Sequence, residues 1–265
     1  MFRSIFIKTL WEFRRAAIYW TLGIFFLAAY IMFVLAEIPL EDFAQISDAL
    51  PKALQQFIGG EGGLDWGSVE GFLNAQVFTI LAPIMIMGIA INAGGKSTAS
   101  EESTKSLDIV LSTPITRERF LIEKILSVIA KVAFVSILHF VAYYLLGILF
   151  SQEVSLIGLL SICLSLFLLG ITFGMLAVMI GTLKGNPSQA IGISSGIALI
   201  SYLIANIAPL VDSIDFTKYI SLFHYYKAGD PLKNGFHSWH WAPSVVMTTI
   251  FIISSIILFK KRDLL

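Results

Sequence analysis

The chain has 265 residues, 57% hydrophobic and 14% charged, and its eighteen basic and eighteen acidic side chains cancel to zero net charge. A soluble domain carries roughly 45–50% apolar and about 25% charged residues, so this composition excludes a soluble globular enzyme, a disordered chain and a coiled coil. The lone cysteine, Cys163, lies in an apolar run, which excludes an intrachain disulfide and a thiolate cluster.

The N-terminal stretch carries Arg3, Lys8, Arg14 and Arg15 ahead of the first apolar run, and no small-x-small cleavage site follows it. It therefore reads as a retained segment rather than a signal peptide. Phe2, Ile5, Phe6, Leu10 and Phe13 recur near helical spacing, the charges lie mostly off that stripe, and Trp11 suits a headgroup layer. The pattern predicts an amphipathic interfacial helix over 1–16, flat on the inner leaflet, that turns into a membrane span. An early start of that span is the competing reading.

A helix that crosses a bilayer needs about 20 mostly apolar residues. Six stretches qualify, at about 17–36, 71–94, 121–150, 155–183, 188–210 and 242–259. The second, fourth and fifth contain no Asp, Glu, Lys or Arg. Unbroken apolar runs without period-2 alternation favour helices over barrel strands. The expected fold is an all-α polytopic membrane protein with six transmembrane helices, one transmembrane domain over 1–265.

Between the first two spans lies an acidic loop. A helix from about Leu40 to Phe57 is expected in it, followed by the glycine-rich GGEGGLDWG, which breaks helix. The second span carries Asn74 and Gln76 near one end, Asn92 near the other, and Pro83 inside, where a missing N–H predicts a kink.

The loop over 95–120 is the most informative stretch. Gly95-Lys96-Ser97 tempts a phosphate-loop reading, but the upstream glycine that motif needs is Ala90, and a membrane span precedes it. Ser100 is a plausible N-cap, Glu101 and Glu102 suit the first turn of a helix, Leu107, Val110 and Leu111 form an apolar stripe, and Pro114 stops it. So small a stripe builds no core of its own. It suits a groove on a cytosolic partner.

Further along, Lys131, His139 and Tyr143 form a polar stripe on the third span. Lys131 is placed to snorkel inward, and His139 reads as packing or as a relay or cargo contact. Gly170/Gly174 and Gly192/Gly196 are G-x-x-x-G pairs that suit helix packing. The second pair encloses a G-x-S-x-G pattern, but a hydrolase elbow needs a strand-to-helix turn with acid and histidine partners, so Ser194 reads as a packing residue. His237 and His240, flanked by Trp239 and Trp241, read as an aromatic belt rather than a metal site. Most basic residues (Arg3 to Arg15, Lys96 to Lys124, Lys184, Lys260 to Arg262) fall on one side of this topology. The positive-inside rule then puts both termini in the cytosol.

The run EESTKSLDIVLSTPITR, from Glu101 to Arg117, resembles the inner loop of type-2 ABC exporter permeases, whose pattern is roughly E-E-x-x-G-T-L-x-x-L-L-x-x-P-[IV]-[ST]-R. Glu101, Glu102, Leu107, Leu111, Pro114, Ile115, Thr116 and Arg117 match, while Lys105 stands in place of the glycine and Ser106 in place of the threonine. GFLNAQVFTILAPIM, ISLFHYYKAGDPL and FKKRDLL are similar to that family's entry to span 2, last outer loop and tail.

The resemblance implies a half-transporter permease without its own ATPase domain. It implies two such permeases, a homodimer on the simplest count, with two copies of a cytosolic ATP-binding subunit. ATP and magnesium sit on that subunit and no cofactor on this chain, and no nucleic acid is involved. Glu101, Glu102, Leu107, Val110, Leu111, Pro114 and Arg117 are its implied ATPase-coupling residues. The cargo path would run between the permeases, lined mainly by spans 2 and 5. Phe78, Pro83, Met87, Ser194, Asn206 and His139 are the candidates for it on this chain. The expected setting is the cytoplasmic membrane of a prokaryote, among its lipids, with an amphipathic or hydrophobic cargo such as a peptide, an antibiotic or a lipid-like molecule. A stand-alone ion-coupled transporter is the competing class, and it would want a membrane-centred Asp or Glu.

Overall fold

A computed structural model describes residues 4–59, 64–103, 116–236 and 238–261. Every regular element among them is helical. Six helices are long and apolar enough to cross a membrane: span 1 (Ile5–Glu37), span 2 (Val69–Gly95), span 3 (Arg117–Leu149), span 4 (Leu156–Lys184), span 5 (Pro187–Leu210) and span 6 (Trp239–Lys261). The chain is therefore an all-helical, multi-pass membrane protein.

Polar side chains start five of the long helices. Ser4, Ser68, Thr116, Ser155 and Asn186 each accept a hydrogen bond from the backbone N–H three residues on. These caps satisfy donors that the first turn leaves free. Spans 4 and 5 are joined by a minimal turn. Gly185, in the left-handed region at φ 65°, ends one helix and Pro187 opens the next.

Span 4 is the centre of the bundle. It packs against spans 2, 3, 5 and 6, and it is the most buried of the six spans, where span 6 is the least. Glycine sets how closely spans 2 and 4 approach. A Cβ on Gly94 would lie 2.2 Å from the Gly174 carbonyl oxygen, and one on Gly170 would lie 2.8 Å from the Ile86 side chain. Without side chains the backbones meet and gain dispersion contact that lipid does not supply. The second G-x-x-x-G pair behaves differently. Neither Gly192 nor Gly196 has another segment's atom within 4 Å of where a Cβ would sit, so among the described residues this pair packs against nothing.

Two local expectations need correction. First, no separate flat helix ends near residue 16, because span 1 runs unbroken from Ile5 to Glu37. The expected bend falls at Ala16-Ala17, which are strong helix formers, and the first turn is anchored elsewhere in the bundle. At 1.5 Å per residue this helix is roughly 50 Å long against a hydrocarbon core of about 30 Å. Its extra turns hold Lys8, Trp11, Glu12, Arg14 and Arg15.

Second, the helix expected over Leu40 to Phe57 is two helices, Leu40–Ala49 and Lys52–Gly59. Pro51 divides them by forcing Leu50 into an extended conformation at φ −76°, ψ 145°. Span 2 carries a π-helical stretch over Asn74–Leu81 just before Pro83. Such stretches widen the helix and displace its hydrogen-bond ladder by one residue.

Between spans 5 and 6 the chain forms 3-10 turns over Asp212–Ile220 and short helices at Leu222–Lys227 and Pro231–Asn234. Phe223, Tyr226, Pro231 and Leu232 are buried in the bundle from these two short helices.

Candidate functional site

Two regions follow from this frame. One is the end of the bundle that collects the lysines and arginines, here called the basic end. The other is a groove between spans 2 and 5.

At the basic end the first turns of span 3 are the hub. The Glu123 carboxylate accepts hydrogen bonds from Ile5 N at 2.7 Å and Phe6 N at 3.1 Å. A carboxylate on the exposed amides of a helix N-terminus also meets the favourable end of the helix dipole. Arg119 holds the same carboxylate at 3.1 Å. One residue on, Lys124 pairs with Glu101, which lies on the short helix Ala99–Ser103 just beyond span 2. Glu118 pairs with Lys260 at the end of span 6. The Thr98 and Thr182 hydroxyls meet at 3.4 Å, tying that short connection to span 4. The Ala99–Ser103 helix is thus tied to span 3 by an ion pair, and span 3 is tied to span 1 through Glu123.

Of the coupling candidates, Glu101 and Glu102 lie on that short helix and Arg117 is the exposed first residue of span 3. Leu107, Val110, Leu111 and Pro114, and with them the expected coupling helix, lie outside the described residues. One Glu101 oxygen is engaged by Lys124 of its own chain. The reason is local. The Lys124 side chain is only 10% exposed, and an ammonium group so placed needs a counter-ion. Sequence reasoning missed Glu123 and Lys124 in this role. Their signal is a pair of adjacent opposite charges at the mouth of an apolar run.

The groove has a volume of about 390 Å³. Span 2 contributes Ile80, Pro83, Ile84, Met87, Gly88, Ile91 and Asn92, and span 5 contributes Ile191, Ser195, Ala198, Leu199 and Tyr202. The span 5 residues follow i, i+4, i+7, i+8, i+11, one stripe of an α-helix. No described residue in this wall is charged. Its polar groups are two hydroxyls and one amide, so it suits an apolar surface with a few oriented hydrogen bonds.

The structure brings only part of the expected path together. Pro83 and Met87 are in the groove wall. Phe78 is fully buried, its ring 5.7 Å from that of Tyr143. Ser194 is fully buried, and its neighbour Ser195, about 100° further round the helix, takes the groove position. Asn206 is buried and accepts a 2.8 Å hydrogen bond from Lys227. His139 is buried in span 3, with Nδ1 2.8 Å from the Val135 carbonyl and its ring stacked on Tyr143. The missed groove residues, Asn92, Ser195 and Tyr202, are polar groups in apolar runs, a signal that sequence alone does not assign to a helix face.

Lys227 belongs to the far end, in the short helix after span 5. Burial pushes its ammonium pKa down to about 8. Nearby, Asn74 Nδ2 donates to Asp230 Oδ1 at 3.2 Å, and Lys233 pairs with Asp65. The connection between spans 5 and 6 is thereby tied to the entry of span 2.

A family model described as ABC-2 family transporter protein matches residues 3–264, and no curated protein shows a significant match. Membership implies a membrane component of an ABC transporter that is not itself catalytic and that works with an ATP-binding subunit. With nearly its whole length covered, and with six membrane-capable helices, the chain belongs to the ABC-2 family of transporter permeases.

Proposed function

We propose that this permease exports an amphipathic or hydrophobic cargo across the cytoplasmic membrane, driven by ATP hydrolysed with magnesium on a separate cytosolic subunit. The observation that carries this reading is the groove between spans 2 and 5, whose described wall is apolar apart from Asn92, Ser195 and Tyr202. A sugar or a metal ion would find few partners in it. A peptide, antibiotic or lipid-like molecule would bury its apolar side there.

The basic end faces the cytosol in this account, as the charge bias favours. The loop over 95–120 sits against the ATP-binding subunit, with Glu102, Leu107, Val110, Leu111 and Arg117 at the contact. When ATP draws two such subunits together, the motion enters the bundle at the Ala99–Ser103 helix. It passes through Glu101 and Lys124 to span 3, and through Glu123 to span 1. Span 2, joined to the same helix, shifts against span 5 and changes the groove. A second copy of the chain completes the path, and the outward glycine face of span 5 is suited to meet it.

Narrowing the groove tests this reading. Met87→Trp fills it with a larger side chain without touching the basic end. Export should fall at least tenfold, while the complex with the ATP-binding subunit still assembles and hydrolyses ATP. Undiminished export of every amphipathic cargo tried would remove the groove from the path.

A further inference from the structure

A second cavity, of about 450 Å³, opens at the basic end between spans 1, 2 and 3. It shares Gly88 and Asn92 with the groove, but its other walls come from different helices. Three lysines line it, Lys96, Lys124 and Lys131, with the carboxylates of Glu12 and Glu101. Both carboxylates have a lysine partner: Glu101 is paired with Lys124, and Glu12 lies 3.8 Å from the exposed Lys8.

Lys131 is different. It forms no ion pair among the described residues, and its ammonium lies 5.5 Å from the centre of the Phe13 ring. It follows Lys124 by two helical turns, so the two lysines lie near one face of span 3. It sits roughly 12 Å deeper along that helix than Glu123. A charge at such depth is costly unless an anion or water meets it. Lys96, exposed at the end of span 2, stands at the rim. The opposite wall, from span 1, carries Thr9 and Glu12 toward the basic end and turns apolar and aromatic through Phe13, Ala16 and Trp20.

We propose that this cavity seats a phosphate-bearing anion, the headgroup of an anionic lipid, with Lys131 at the floor and Lys96 at the rim. The charge supports an anion, because the cavity carries one more cation than its carboxylates balance. The aromatic wall supports a lipid over a free ion, because an acyl chain has apolar surface to follow along span 1 and inorganic phosphate does not. Basic pockets between helices on the cytosolic side are suited to such headgroups. The lipid source rests on the proposed orientation of the basic end, but the test below measures binding alone.

The test is native mass spectrometry of the full-length permease in detergent, titrated with phosphatidylglycerol, with and without millimolar inorganic phosphate. The wild type should retain a tight lipid adduct. Lys131→Gln should weaken it at least tenfold, Lys131→Arg should keep it, and Lys184→Gln, at the same end but outside the cavity, should leave it unchanged. Adducts that resist inorganic phosphate identify the lipid as occupant. Adducts displaced by it, with Lys131-dependent phosphate binding, keep the phosphate seat and assign it to a soluble source. Equal lipid and phosphate binding by the wild type and both Lys131 variants overturns the proposal. Because no ATP or cargo enters the measurement, its failure is distinct from failure of the export reading.

Discussion

The Tyr226 hydroxyl donates a 2.7 Å hydrogen bond to the backbone carbonyl of Phe78, in the π-helical stretch of span 2. In that register a carbonyl meets the N–H five residues on, as Val77 O meets Ala82 N. Five residues after Phe78 stands Pro83, which has no N–H. Tyr226 thus supplies the donor that the proline withholds, and it pins the short helix Leu222–Lys227 to span 2 at that point.

This pairing predicts a non-additive mutant cycle. Tyr226→Phe leaves a buried carbonyl without its donor, at a cost of about 1–3 kcal/mol. In a Pro83→Ala background the backbone regains an N–H, and the same substitution should cost clearly less. Thermal unfolding of the four purified proteins in one detergent measures the coupling. Equal losses in both backgrounds would contradict the assignment.

The two glycine pairs should respond in opposite ways. Gly94→Ala drives a methyl against the backbone carbonyl of Gly174, and overpacking of this kind costs about 1–3 kcal/mol. Gly196→Ala meets open space, so the isolated chain should keep or slightly raise its melting temperature, since alanine is the better helix former by about 0.5–1 kcal/mol. Fluorescence-detected size exclusion during heating separates the two.

Glu101→Gln leaves the Lys124 ammonium without its counter-ion. Hydrogen bonds to charged groups contribute about 1.5–3 kcal/mol, and the loss should fall in that range. Permease-dependent stimulation of the partner's ATPase should fall with it. The exchanged pair, Glu101→Lys with Lys124→Glu, should recover stability. Recovery of stability without recovery of stimulation would assign Glu101 a contact with the partner as well.

Lys227 predicts a pH dependence of defined sign. Its folded-state pKa is about 8 because of burial, below the ordinary value of 10.5. Between those values the unfolded chain binds a proton that the native one does not, so stability attributable to this residue rises with pH across that window. Below about pH 8 the buried ammonium must be carried and the gain is lost. Lys227→Met should therefore flatten the slope of stability against pH between about 8 and 10.5 relative to the wild type. Unfolding measured at three pH values in that window is the check.

Much of the fold was legible because six apolar runs leave a bilayer-spanning chain few alternatives. What escaped depended on interactions between distant segments. Nothing local shows that Glu123 will hold the first amides of span 1, and so nothing local decides between a flat helix and an early start of the span. Pro51 was a visible break that the apolar pattern around it obscured. At Pro83 the helix responded with a register change, and the π stretch is closed by a tyrosine 148 residues away. In the candidate path, Ser194 and Ser195 differ by a single step of the helix. Hydropathy cannot tell which of two adjacent serines in an apolar run faces the groove.

The most direct test of the account is ATP-dependent uptake of a fluorescent amphipathic peptide by inside-out vesicles holding this permease and its ATP-binding subunit. The account predicts accumulation that requires hydrolysable ATP, persists when ion gradients are collapsed by ionophores, and falls at least tenfold with Met87→Trp. Uptake that follows an ion gradient and ignores ATP would contradict it.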